Sequence, residues 1–144
     1  MSRIKMDMRH ISVSALNALR AGKLSAQHPD NTECLYRSED GSVCAIGAGI
    51  TDEQIAIIEA DRVKNGITEV HAWNTHHVGQ LAYDYFDVEK SEDQRCLDKL
   101  QSLHDEVQRA KMRGDATDAI KWMNKLTALI NGMVGIYAPE ALAA

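Results

Sequence analysis

The sequence predicts a mainly α-helical α+β fold that contains one small β-hairpin and ends in an antiparallel helical hairpin. Apolar residues recur at spacings of three and four through much of the 144-residue chain, which is the helical period. An Asp-Gly pair lies between two short strand-like arms, a strong local signal for a hairpin. Two long amphipathic stretches are separated by one glycine near residue 114, which favours two antiparallel helices.

The first predicted helix covers residues 11–20 and ends before Gly22, a natural C-cap. Its apolar positions form one stripe and are Ile11, Ala15, Leu16 and Leu19. The predicted β-hairpin follows at residues 34–44, where Cys34-Leu-Tyr-Arg and Ser-Val-Cys44 flank the Asp40-Gly41 turn.

Thr51-Asp-Glu-Gln54 is a capping box, in which each end residue can satisfy a backbone N–H of the other. It predicts a helix from Asp52 to about Lys64. The apolar residues expected to be buried by this helix are Ile55, Ile58 and Val63. Residues 67–73 fit a strand or a helix equally well, and a short helix is predicted at about 75–86.

A second capping box, Ser91-Glu-Asp-Gln94, opens the longest predicted helix, which ends near Arg113. The final helix starts at Asp115 or Thr117 and continues to about residue 135. Their apolar stripes are Cys96, Leu100, Leu103, Val107 and Ala110 in the first helix, and Ile120, Met123, Leu126, Leu129, Ile130 and Met133 in the second. Met112, Met123, Met133 and Trp122 are interpreted as core, or otherwise as an adhesive face.

Charge is distributed unevenly along the chain, whose formal net charge is −5. Residues 1–25 are basic and residues 26–93 are strongly acidic. One domain is the default for a chain of this length and composition. The predicted organisation is a single domain, 1–144, with a basic helical N-terminal arm (1–25), an acidic hairpin-helix region (26–93) and the helical hairpin (91–135).

Several functional classes are disfavoured by the sequence. No apolar run approaches the roughly 20 residues that a membrane helix needs. The first ten residues alternate charged with apolar residues, unlike a secretory signal. Three cysteines without such a signal indicate reduced thiols and a cytoplasmic protein. Gly47-Ala-Gly49 lacks the other elements of a phosphate loop, and the acidic balance argues against direct nucleic-acid binding. No cofactor is predicted.

Two sequence elements carry a resemblance to known proteins. They are the run of Cys34-Leu-Tyr-Arg, Asp40-Gly41 and Cys44-Ala-Ile-Gly47, and the later Leu100-Gln-Ser-Leu-His104-Asp105. Together they resemble a group of small, poorly characterised phage and prophage proteins. The resemblance implies a mobile-element origin and a hairpin packed on helices, and it brings no established activity.

The leading functional hypothesis is therefore a protein-binding inhibitor from a mobile element. An acidic surface would dock on a basic groove of a host protein or nucleoprotein complex, as an anti-CRISPR or other anti-defence protein does. The residues expected to form this surface are Glu39, Asp40, Asp52, Glu53, Glu59 and Asp61.

Two other classes stay open. A small cysteine-dependent hydrolase or transferase would use Cys44 as nucleophile and His104 as base, although adjacent residues on a helix diverge by about 100°, so Asp105 is poorly placed to orient His104. A homodimeric assembly factor would associate through the C-terminal hairpin. Weak metal-ligand candidates with irregular spacing are His71, His76 and His77.

Overall fold

The computed structural model describes residues 4–24, 47–64, 85–88 and 90–142. The elements in these ranges are the strands β1 (Ile4–Lys5) and β2 (Phe86–Asp87), the helices α1 (Met8–Arg20), α2 (Asp52–Lys64), α3 (Ser91–Met112) and α4 (Ala116–Tyr137), and the 3₁₀ turns Gly47–Gly49 and Pro139–Leu142. The mainly helical fold with a small β component is thus confirmed. The predicted hairpin at 34–44 and the ambiguous segment 67–73 lie outside the described residues.

The small sheet is a parallel pair that the sequence pattern did not predict. Ile4 lies opposite Phe86 and Lys5 opposite Asp87, and the Met6 N–H donates to the Asp87 carbonyl at 2.9 Å. Phe86 was expected to end a helix that began near residue 75, and this prediction is wrong at Phe86. The ring of Phe86 is buried and its backbone pairs with β1, so tertiary pairing overrides the local helical period.

Helix α1 begins at Met8, three residues earlier than the apolar stripe indicates. The Asp7 carboxylate accepts a hydrogen bond from the His10 N–H at 3.0 Å, which satisfies one of the orphan donors of the first turn. At the other end, Gly22 adopts a φ of +69° and the Lys23 N–H donates to the Ala18 carbonyl at 2.9 Å. The predicted glycine C-cap is confirmed.

The C-terminal helical hairpin is confirmed. Gly114 turns the chain with a φ of +71°, and the Asp115 side chain accepts from the Asp118 N–H at 2.9 Å to cap α4. Helices α3 and α4 then pack closely along their length in antiparallel orientation, and α1 packs on α4. The fully buried residues that form the centre of this core are Leu97, Leu100, Val107, Leu126, Ile130 and Val134.

The turn before α2 approaches α1 very closely. An ideal Cβ at Gly49 would lie 2.3 Å from Ile11 Cγ1 and 2.8 Å from Ile11 Cα. Only glycine fits this position, and the requirement is steric because Gly49 does not have a positive φ. The absence of a side chain at Gly49 therefore allows the 3₁₀ turn to pack against α1. The neighbouring Ile50 is buried in the same core.

The capping box of α2 is confirmed in both directions. The Thr51 N–H donates to Gln54 Oε1 at 3.0 Å, and the Gln54 N–H donates to Thr51 Oγ1 at 3.1 Å. Ile58 is fully buried, as expected, whereas Val63 is 65% exposed. The prediction that Val63 is buried is therefore wrong, because the apolar residues of α2 lie on two opposite sides of the helix.

Within the described ranges, none of the helices combines the length and the apolar character that crossing a bilayer requires.

Candidate functional site

The first turn of α2 presents two carboxylates to solvent. Asp52 and Glu53 are both exposed and lie between the two end residues of the Thr51–Gln54 capping box. Carboxylates are stabilised at this position by the partial positive charge of the helix N-terminus. The capping box therefore fixes both the start of the helix and the place where its negative charge meets solvent.

The same side of α2 continues as an apolar surface. At about 100° per residue, the exposed residues of the helix fall within an arc of about 140°. They are Asp52, Glu53, Ala56, Ile57, Ala60, Val63 and Lys64. Ile57 is 45% exposed and Val63 is 65% exposed. We call this set the α2 face: an acidic first turn followed by an apolar centre.

The acidic residues expected to form one docking surface are only partly brought together in the described structure. Asp61 is half-buried and lies on a flank of α2 rather than on the α2 face. Glu59 lies within the bounds of α2, but its side chain is not among those that the structure describes. Glu39 and Asp40 lie outside the described residues. Among the described side chains, the acidic part of the surface consists of Asp52 and Glu53. The exposed apolar centre beside them was missed, because isoleucine and valine at helical spacing normally indicate core.

A second unusual feature is a row of polar side chains inside the protein. Gln101, His104 and Gln108 lie on one side of α3, at spacings of three and four, and all three are buried. Polar side chains of this size are rarely buried without hydrogen bonds. We call these three residues the polar row.

The polar row is only partly satisfied by hydrogen bonds. Gln101 Nε2 donates to Asp105 Oδ1 at 2.8 Å, and His104 Nδ1 lies 3.5 Å from the same oxygen. Three atoms have no hydrogen-bond partner within the described part of the chain, namely Gln101 Oε1, His104 Nε2 and Gln108 Nε2. Each such atom costs about 1–3 kcal/mol of desolvation that no hydrogen bond offsets.

The position of His104 bears on the proposed cysteine-dependent chemistry. Its side chain is 0% exposed, and the contact with Asp105 is at the outer limit of hydrogen bonding. The stronger bond to that carboxylate comes from Gln101, which agrees with the expected divergence of adjacent helical residues. Cys44 lies outside the described residues, so the pairing of Cys44 with His104 stays a hypothesis.

Gln108→Met is expected to raise the free energy of unfolding by about 1 kcal/mol, because it removes a buried N–H group that has no described partner. Gln101→Met is the matched control, since it also removes a buried amide but in addition removes the 2.8 Å hydrogen bond to Asp105. Urea denaturation of the two variants should place Gln101→Met clearly below Gln108→Met in stability. A loss of stability in Gln108→Met would show that its amide has a partner that the described contacts do not include.

A third polar contact joins the start of α3 to the end of α4. The Tyr137 hydroxyl donates to Asp93 Oδ1, while Cys96, half-buried, lies beside them. Burial first, and then the hydrogen bond and negative charge of Asp93, raise the pKa of Tyr137 well above its usual value of about 10. The phenol thus stays protonated at physiological pH and remains a donor. We interpret this contact as a hydrogen bond that holds the end of α4 against the start of α3.

The basic residues near the α3–α4 turn are held by local contacts. Arg109 pairs with Glu106 at 2.7 Å and Arg113 with Asp118 at 2.9 Å. The ammonium groups of Lys121 and Lys125 lie 5.1 and 4.7 Å from the centre of the Trp122 ring, within cation–π range. The ring itself packs partly against the core, which agrees with its interpretation as a core residue.

In the described ranges, no group of three or more His, Cys, Asp or Glu residues is placed to hold a metal ion. The histidines at positions 71, 76 and 77 lie outside those ranges, so His71, His76 and His77 remain weak candidates from sequence alone.

Comparison of the chain with protein-family models, with curated proteins and with solved structures finds no match. The resemblance of residues 34–47 and 100–105 to small phage proteins stays a prediction from the sequence.

Proposed function

We propose that this protein is a docking module that binds another protein through the α2 face. The partner would offer a basic surface beside an apolar groove, a combination found where proteins hold nucleic acid. With the phage-like motifs of the sequence, this makes a host nucleoprotein complex the preferred target and inhibition of host defence the preferred role.

The observation that supports the proposal most directly is the exposure of Ile57 and Val63 next to Asp52 and Glu53. Exposed single apolar residues are common. Here, however, Ala56 and Ala60 are also exposed and join the two larger side chains into one apolar strip. An apolar centre with a polar edge is the usual anatomy of a protein interface.

The two parts of the face would have different roles in binding. Burial of an isoleucine or valine side chain contributes roughly 1.5–3 kcal/mol when the side chain is completely removed from water. The carboxylates, at the end of the helix, would act mainly by steering a basic partner towards the face and by setting the register of docking. A complex of this kind should therefore form more slowly at high salt.

The test is affinity capture from bacterial lysate at low and high salt, with recovered proteins quantified by mass spectrometry. The wild type is compared with Asp52→Asn/Glu53→Gln and with Ile57→Gln/Val63→Gln. We expect one host protein in stoichiometric amount with the wild type, and at least a tenfold lower recovery with each variant, equivalent to about 1.4 kcal/mol.

Two matched controls separate the face from general charge and folding effects. Glu92→Gln/Asp98→Asn removes the same two charges from exposed positions of α3, and Ile57→Val/Val63→Ile keeps the α2 face apolar. Both should retain the partner. The proposal fails if the wild type captures no specific protein, or if all four variants capture it equally well.

A further inference from the structure

The outer side of α4 has an unusual composition for a solvent-exposed helix. Its exposed residues are Ala116, Thr117, Ile120, Lys121, Asn124, Lys125, Ala128, Asn131, Gly132, Gly135 and Ile136. None of these residues is acidic, although the chain carries 21 acidic residues, and the C-terminal half of the set is uncharged. Ile120 is 62% exposed and Ile136 is 72% exposed. We call this set the α4 face.

Two glycines in the α4 face have no explanation within the described chain. A glycine in a helix interior costs about 1 kcal/mol relative to alanine. Neither has a positive φ. A Cβ at Gly132 would meet nothing within 4 Å, and one at Gly135 would meet only Leu142, at the ordinary contact distance of 3.9 Å. Small residues on an exposed helix allow a second backbone to approach closely.

We propose that the α4 face binds a second copy of this chain in an antiparallel, two-fold arrangement centred near Ala128. A two-fold interface requires one surface to be complementary to itself. Ile120 and Ile136 lie eight residues before and eight after Ala128, and about 80° to either side of it around the helix. In the dimer, each end of the contact would be flanked by Ile120 of one protomer and Ile136 of the other.

Charge favours the same arrangement. Two copies with a net charge of −5 each repel one another overall, and the α4 face presents no carboxylate to its counterpart. The last turn of α4 contains no basic residue. Antiparallel pairing about Ala128 would bring Lys121 of one protomer opposite Gly135 of the other, where its ammonium would complement the negative end of the partner helix.

The size of the face limits the strength of the dimer. Helix α4 has 22 residues, about 33 Å, and a contact along one helix pair falls at or below the roughly 1,200–2,000 Å² of a stable standard interface. The expected dimer is therefore reversible, with association at micromolar or higher concentrations. This inference concerns α4 and does not depend on the function proposed for α2.

The test is sedimentation velocity from low micromolar to several hundred micromolar protein, with the full chain. The weight-average mass of the wild type should rise from one chain towards twice that value. Ala128→Glu places two like charges face to face at the two-fold axis and should remain monomeric. Ser102→Glu, which adds the same charge at an exposed position of α3, should dimerise like the wild type.

A cysteine variant checks the geometry independently of affinity. Ala128→Cys should form a disulfide-linked dimer under mild oxidation at high protein concentration, whereas Ser102→Cys should give at least tenfold less. Circular dichroism melting of each variant confirms that it is folded. The inference is overturned if the wild type is monomeric throughout, or if its dimer persists in Ala128→Glu, which would place the contact on another surface.

Discussion

Gly49→Ala is expected to lower the free energy of unfolding by roughly 2–3 kcal/mol, at the upper part of the range for overpacking. The added methyl group would lie 2.3 Å from Ile11 Cγ1 and 2.8 Å from Ile11 Cα. A side-chain rotation could relieve the first contact, but the second involves the backbone of α1. Relief therefore requires the whole 3₁₀ turn to separate from the helix, which would also expose Ile50.

The same substitution at Gly132 is the matched control. Gly132→Ala should raise the free energy of unfolding by up to about 1 kcal/mol, because alanine has the higher helix propensity and nothing lies within 4 Å of its Cβ. Urea denaturation at low protein concentration would measure both. Equal stability of the two variants would contradict the close packing of Gly49 against α1.

Ile130→Ala is expected to cost about 2–5 kcal/mol, the usual range for truncation of a fully buried isoleucine. Ile130 is 0% exposed and belongs to the core formed by α1, α3 and α4. Its truncation would leave a cavity inside this core. Because small domains have only about 5–15 kcal/mol of stability in total, the variant should melt at a much lower temperature.

Ile136→Ala makes the same chemical change six residues further along α4, where the side chain is largely in solvent. Its effect on the free energy of unfolding should stay within about 0.5 kcal/mol. Calorimetric melting of the two variants at low concentration tests the orientation of α4. Similar losses at both positions would mean that α4 presents a different side to the core.

The parts of the fold that could be predicted from sequence are those specified by local interactions. The α3–α4 hairpin follows from an uninterrupted helical period and one glycine with a positive φ at position 114. The predicted Ser91–Gln94 capping box is wrong, because α3 already begins at Ser91 without a side-chain cap and the Gln94 side chain donates to Asp98 instead. The start of α2 follows from the Thr51–Gln54 pair, because both hydrogen bonds lie within a single turn. In each case the determining contacts are between residues three or four positions apart.

The features that were missed depend on residues far apart in the chain. Strands β1 and β2 are two residues long, too short for an alternating pattern to be visible. The contact of Tyr137 with Asp93 joins opposite ends of the two last helices and leaves no local signal. The exposure of Val63 depends on which side of α2 meets the core, and an apolar pattern on both sides cannot decide this.

The candidate sites were recognised to different degrees. Asp52 and Glu53 could be identified from charge and from their place after a cap, whereas the neighbouring apolar centre could not. His104 was singled out from sequence as a candidate base, Gln101 only as part of the motif at 100–105, and Gln108 not at all. A signal for Gln101 and Gln108 was present. Both are polar residues on the side of α3 where the helical period also places the buried residues Leu97 and Leu100.

The parallel pair of β1 and β2 also has a consequence for the order of folding. It joins residues separated by more than half of the chain, so its formation closes a long loop and carries a large entropic cost. The α3–α4 hairpin, in contrast, is made of contacts between neighbouring elements and can form early. The first strand would then be added to an existing helical nucleus as a late step. During synthesis β1 leaves the ribosome before the helical hairpin, yet it would reach its place in the fold after it.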